Sequence, residues 1–279
     1  MGFKTILNIV TDADVSAPPL ERALAISKVE DAHLDVMCLG IDRTQTGYYY
    51  AGANALVQQE TLIRAREEAE TLETSIRQRL STETVAWSVE SGVAQLAGLA
   101  RIIAHRARFA DLVVLPKPYG KSRGQEIEAI VEAAMFEGHA PVLVVPDSCE
   151  AATIPRRVVV AWNESTEALS AIRAALPALR AAEEVNIAII DPPTHSPDRS
   201  DPGGALSQML VRHGVKAEIS VLAKTMPRVS DVLLRHARDI DADLMVMGAY
   251  GHSRFREAIL GGATRNMLEH AEVPVLMAH

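Results

Sequence analysis

The stretch that decides the fold reads Leu244-Met245-Val246-Met247-Gly248-Ala249-Tyr250-Gly251-His252-Ser253-Arg254, then residues 255–260, then Gly261-Gly262-Ala263-Thr264, a helical run, and Pro274-Val275-Leu276-Met277. An apolar run that passes directly into glycines is the pattern of a buried parallel strand handing over to a ligand loop. Glycine lets the main chain approach a ligand closely. The second glycine pair opens a helix, whose first N–H groups have no partner within it and favour an anion. Two glycine clusters with a helix start behind the second predict a phosphate cradle.

The same alternation of apolar strand and helix extends back along the chain. Strands are expected over 5–12, 33–40, 84–90, 110–115 and 141–145, separated by helices over 17–31, 53–80, 93–108 and 126–137. Pro18 and Pro19 are placed in the opening turn of the first helix. After a linker at 146–155 the pattern restarts, with strands over 158–161, 184–191 and 216–223 and helices over 164–181, 205–213 and 228–238. Two register marks support a repeat: Ala110-Asp111-Leu112 matches Ala242-Asp243-Leu244, and Pro141-Val142-Leu143 matches Pro274-Val275-Leu276. Strictly alternating strands and helices imply parallel sheets with helices on both faces. Two domains follow, 1–147 and 155–279, each α/β with a five-stranded parallel sheet flanked by helices.

Composition limits the partners. Hydrophobic residues make up 48% of the 279-residue chain but aromatic ones only 4%, so the cores must be aliphatic. A formal net charge of −8 argues against a general nucleic-acid or anionic-membrane partner. Cys38 and Cys149 form no metal spacing and no disulfide framework, which suits a reducing cytoplasm. The N-terminus runs straight into a strand without the pattern of a signal peptide, and no apolar run is long enough for a bilayer.

The glycine spacing resembles the nucleotide signature of the universal stress protein family: Gly, two residues, Gly, nine residues, Gly, then Ser or Thr. Gly248, Gly251 and Gly261 fit it. Gly262 stands where the family has Ser or Thr and lacks that hydroxyl, and Thr264 lies two residues later. With the repeat, the chain resembles a tandem member of the family, which implies two Rossmann-like domains of the adenine nucleotide alpha hydrolase type. The resemblance further implies pairing of the last strands, 141–145 with 274–277, as an intrachain pseudo-dimer. It leaves further homodimerisation, an unknown protein partner and Mg²⁺ open. The implied ligand is ATP, or ADP or AMP, bound in the C-terminal half.

Ligands of open parallel sheets bind at the carboxyl ends of strands where strand order reverses. Those ends carry Trp162 and Asn163, Ile190 and Asp191, and Met247 and Gly248. The family usually has Asp where Asn163 stands; Asn can donate and accept, so it can still read adenine. Equally, Asn163 or Ser165 caps the next helix. Asp191 suits a ribose contact or a turn. Tyr250 either flanks the base or covers apolar surface. His252 and Arg254 either reach a phosphate tail or stay solvated, and Arg265 has the same two readings. The phosphates are expected on main-chain N–H groups from Gly248 to His252 and from Gly261 through Gly262 and Ala263 to Thr264.

The first half departs from this pattern. It reads Pro116-Lys117-Pro118-Tyr119-Gly120, and counting back from Pro141 puts Glu128 and Ala129 where Gly261 and Gly262 stand. Proline has no N–H to offer and Glu128 would repel phosphate, so a degenerate nucleotide site is expected there. Gly120-Lys121-Ser122 is no Walker A loop, because the glycine required at position 115 is Leu115. No metal motif and no nucleophile elbow is present in the sequence. The expected role is a stress-responsive adenine-nucleotide binding protein, regulatory rather than enzymatic, with slow ATP hydrolysis left open. The alternatives are a nucleotide-free interaction module and, less favoured, an adenylate-forming enzyme, whose glycine-rich loop after the first strand is missing here.

Overall fold

A computed structural model describes residues 2–43, 53–120, 123–149, 154–192, 201–249 and 262–279. They divide into two compact units, Phe3–Ala140 and Met1–Gly2 with Pro141–His279.

The first unit contains strands β1 (Thr5–Val10), β2 (His33–Asp42), β3 (Trp87–Gln95) and β4 (Leu112–Pro116). Their order is β3-β2-β1-β4 and every pairing is parallel. Its helices are α1 (Ala13–Glu30), α2 (Ala53–Leu80), α3 (Leu99–Ala107) and α4 (Gln125–Glu132), the last continuing into a π-helical turn, Ala133–Glu137. Helix α1 starts before its prolines because Asp12 caps it, its carboxylate accepting from the Val15 N–H at 3.0 Å. Pro18 and Pro19 therefore lie inside the helix. Strand β3 begins and ends later than its alternation predicts, since it pairs with β2 from Leu34 opposite Trp87 to Asp42 opposite Gln95. That pairing takes up residues 93–95, and the expected helix starts only after a 3₁₀ turn, Leu96–Gly98. The core is aliphatic, as the composition requires. Cys38 is buried within it, and burial first, then the Glu73 charge, pushes its thiol up to about 12, so it stays protonated and unreactive.

The second unit contains β5 (Val142–Val145), β6 (Arg157–Ala161), α5 (Thr166–Ala181), β7 (Glu184–Ile190), α6 (Gly204–Arg212), β8 (Ala217–Leu222), α7 (Val229–Asp239), β9 (Leu244–Gly248), α8 (Ala263–His270) and β10 (Val275–Ala278). The strand order is β5-β10-β9-β6-β7-β8. All neighbours are parallel except β5, which runs antiparallel to β10, with Val144 opposite Val275 and Val142 opposite Met277. The two last strands do pair, and the fifth strand of the first half is grouped with the second unit. Pro177 does not break α5, which runs unbroken from Thr166 to Ala181.

The Ala-Asp-Leu repeat has a physical cause. Asp111 accepts from the main-chain N–H groups of Lys4 and Thr5 at 2.7 and 2.9 Å, and its own N–H donates to the Thr5 carbonyl. Asp243 does the same to Arg156 and Arg157 at 2.8 and 3.2 Å, with its N–H on the Arg157 carbonyl. One carboxylate thus ties the start of β1 to the start of β4, and the other the start of β6 to the start of β9. Charge-assisted bonds of this kind contribute about 2 kcal/mol in total at an exposed position. The two tryptophans, Trp87 and Trp162, fall one in each unit. Asp111→Ala is expected to lower the transition reported by Trp87, and Asp243→Ala that reported by Trp162. Unchanged midpoints in both would show that the repeat is not structural.

Candidate functional site

Strand β6 is followed through α5 by β7 on one side, while β9 lies on its other side. Strand order thus reverses between β6 and β9, and a crevice opens there at the carboxyl ends. Register sets the level: Ala161 is opposite both Met247 and Ala188. Trp162, Asn163, Gly248 and Ile190 therefore follow at the same end of neighbouring strands. Trp162 is half-buried and its N–H donates to the Ala188 carbonyl at 3.0 Å. Met247 is buried and Ile190 half-buried.

The start of α5 stands over this crevice. Ser165 is its cap, its hydroxyl accepting from the Ala168 N–H at 3.1 Å. The exposed Asn163 accepts the Ser165 N–H through Oδ1 at 3.2 Å, bracketing Glu164 in left-handed backbone at φ 63°. The capping reading thus holds for Ser165, and Asn163 supports the turn through its oxygen. Asp191 is a turn residue at φ 47°, with its N–H on the Leu222 carbonyl at 3.0 Å, and its exposed carboxylate lies at the crevice end of β7. A Cβ added at Gly248 would lie 2.4 Å from Ala168 N and 2.7 Å from the Glu167 carbonyl carbon. The missing side chain at Gly248 therefore admits the first turn of α5.

Glu167 and His279 were not among the expected site residues. The Glu167 carboxyl is held below its usual range, first by its own main-chain N–H, then by the Ser165 and Thr166 side chains and the His279 charge, against burial that opposes them. His279 donates from Nδ1 to the Ala249 carbonyl at 3.0 Å. An acid in a first helical turn is a visible signal; nothing in the sequence marks His279. A depressed carboxyl contributes stability above its unfolded value, and loses it as pH falls through the folded one. The stability gap between wild type and Glu167→Gln is therefore expected at neutral pH and should close as pH falls below the ordinary glutamate range. A gap that stays constant on acidification contradicts this.

Tyr250, Gly251, His252, Arg254 and Gly261 lie outside the described residues. Gly262 is the cap residue of α8, in extended backbone, and as glycine brings no side chain of its own to the helix start. Ala263 and Arg265 are exposed, and Thr264 is 2% exposed. The buried Asn266 carboxamide ties α8 to α7, donating to Asp231 at 3.1 Å and accepting from Arg228 at 2.5 Å in its hydrogen-bonded orientation.

In the first unit helix α4 begins after Gly124, which like Gly262 brings no side chain to the helix start, and continues through its π turn to Glu137. Both helical segments end five residues before the strand that follows, at Glu137 before Val142 and at His270 before Val275, so Ala129 lies inside this longer segment at the level of Gly262. Glu128 accepts from the Tyr119 hydroxyl at 2.6 Å. A second sequence match shows the alignment: Tyr119-Gly120-Lys121-Ser122-Arg123 repeats as Tyr250-Gly251-His252-Ser253-Arg254.

Among the described residues no three His, Cys, Asp or Glu side chains are placed to hold a metal ion, and no helix is long and apolar enough to cross a membrane.

Comparison with known proteins agrees with this architecture. Residues 155–279 match the model of the universal stress protein family. A universal stress protein of Synechocystis is 33% identical over 73 residues, 26% of this chain and 24% of that protein, so the match spans about a quarter of the curated relative. The crystal structure of a universal stress protein from Archaeoglobus fulgidus has a TM-score of 0.73 at 16% identity, covering 98% of this chain and 95% of that one. A putative universal stress protein from Pseudomonas aeruginosa gives 0.61 at 17% identity, covering 98% and 92%. At such identities the two structures show a shared fold. Residues 155–279 thus match the universal stress protein family, and the chain shares the fold of solved universal stress proteins.

Proposed function

We propose that the second unit binds an adenine nucleotide, ATP in the first instance, at the crevice between β6 and β9. The observation that carries this reading is the strand reversal, which sets Asn163 and Gly248 on neighbouring strand ends, with Gly251, Gly261 and the uncapped start of α8 following in sequence. The first N–H groups of α8 have no side-chain cap from Gly262, which suits an anion. Asn163 spends its oxygen on the turn, and among the described residues no bond engages its amide nitrogen, leaving donors for a base. Arg254 and His252 supply cationic side chains for a phosphate tail, with Mg²⁺ as a companion ion.

The role is regulatory. Among the described residues no general base and nucleophile are brought together at the crevice, and slow hydrolysis at most is expected, in a cytoplasmic protein. A second reading, a nucleotide-free interaction module, draws on two observations: Gly248 is accounted for by its packing on α5, and Thr264 is buried. Denaturing the purified protein and identifying the released small molecules separates the two. Stoichiometric adenine nucleotide supports the first, and its absence together with no binding of added ATP supports the second.

A further inference from the structure

Strand β8 ends the strand order of the second unit, and its outer edge is open. The Val185 N–H donates to the Lys216 carbonyl at 3.2 Å and the Asp191 N–H to the Leu222 carbonyl at 3.0 Å. Parallel pairing engages alternate residues of a strand, so Lys216, Glu218, Ser220 and Leu222 turn their main chain toward β7. Ala217, Ile219 and Val221 turn theirs outward, and no hydrogen bond to those groups is formed among the described residues. The first unit treats the matching edge differently. There the Leu34 N–H donates to the Ala86 carbonyl at 2.9 Å, which by the same alternation points Val89 outward. Arg77 of α2 donates from Nη2 to that Val89 carbonyl, and the Ser91 hydroxyl donates to Glu73 of the same helix. Helix α2 thus blocks the edge of β3, whereas an open edge is a template for another strand.

The side chains make the β8 edge apolar. A Cβ at Gly203 would meet Ile189, Ile219 and Ile187, so these side chains share the face on which α6 starts. Val221, two residues further on, shares that face. The cover is incomplete: Ile219 is 37% exposed, Val221 54%, and Val211 of α6 61%. Val211 lines one groove with Ala217 and Glu218.

We propose that the β8 edge is a homodimer interface, in which two copies of this chain join β8 to β8 antiparallel about a two-fold axis at Val221. Charge selects both the occupant and the register. Residues 217–224 carry one acidic side chain, Glu218, and one basic side chain, Lys224, both exposed and both unpaired among the described residues. With Val221 opposite its own copy, Glu218 faces the partner's Lys224 and Lys224 faces the partner's Glu218. Val221 exchanges main-chain bonds with the partner's Val221, and Ile219 with the partner's Ala223. Pairing stops there because Ala223 opens a turn, its carbonyl accepting the Thr225 N–H at 2.8 Å. Sliding by two residues, so that Ile219 faces itself, sets Glu218 diagonally across from its own copy and leaves Lys224 unmatched. A foreign strand would satisfy the main chain equally; the self-matching charges single out a second copy. Such an interface is isologous and closes at two chains. It is small, so micromolar strength is expected. None of this rests on nucleotide binding.

Sedimentation velocity of the full chain, from low to high micromolar concentration, tests the proposal. Wild type is expected to pass reversibly from monomer to dimer. Val221→Lys, which sets like charges opposite each other at the axis, should weaken dimerisation at least about tenfold. Glu218→Lys and Lys224→Glu should each weaken it about tenfold, and the double variant Glu218→Lys/Lys224→Glu should return to within about threefold of wild type. The three positions are exposed, and thermal unfolding checks that each variant is folded. If Val221→Lys does not fold, Val221→Pro takes its place, since it removes only an outward N–H of an edge strand. Wild type that stays monomeric at high micromolar concentration overturns the proposal. A dimer left intact by the Val221 variant, or a charge-swapped double variant no tighter than the single ones, does the same.

Discussion

Gly40→Ala is expected to lower the stability of the first unit by about 3 kcal/mol, the upper range for inserting one carbon into a packed interior. Gly40 lies in β2 where α2 crosses it. An added Cβ would meet the Ala65 carbonyl oxygen at 1.7 Å and its carbon at 2.6 Å. Both are main-chain atoms, so no rotamer change relieves the clash, and the helix must move off the strand. Ala69, Leu72 and Ile76, the buried residues of α2 itself, would then lose their packing. Denaturant unfolding followed through Trp87 measures the effect. A loss below about 1 kcal/mol would mean that α2 does not rest on the β2 main chain as described.

Gly251→Glu is expected to weaken ATP binding at least about 100-fold, a cost near 3 kcal/mol. Gly251 is the second glycine of the signature, and a carboxylate there would face the phosphates the loop is proposed to hold. Like charges close together in a partly shielded crevice repel by several kcal/mol. Tyr119→Ala, at the corresponding loop of the first half, should leave ATP affinity unchanged. Equal loss from both variants would place the nucleotide outside the second unit's crevice.

Much of the architecture was legible because period and punctuation agreed. The apolar run 244–247 and the glycine behind it do form a strand ending at a crevice, and the Asp111 and Asp243 marks are the same carboxylate device used twice. Boundaries moved where long-range pairing overruled local pattern. Strand β3 runs to Gln95 because β2 offers a partner that far, and α1 keeps Pro18 and Pro19 in its interior because its cap lies upstream of them. The site was legible in its placement and less so in its details. Gly248 stands at the strand end where the spacing places it, and its missing side chain also has a packing role, the close approach of Ala168, that the sequence alone does not reveal. The Arg43–Glu126 pair, Nε to Oε1 at 3.2 Å, joins segments 83 residues apart and could not have been read from spacing at all.

Isothermal titration of the nucleotide-free full chain with ATP and Mg²⁺ tests the central claim most directly. Saturable heat with a stoichiometry of one per chain, retained in Tyr119→Ala and lost in Gly251→Glu, is the predicted result. No heat up to millimolar ATP, from protein shown to be folded and free of bound nucleotide, would contradict it.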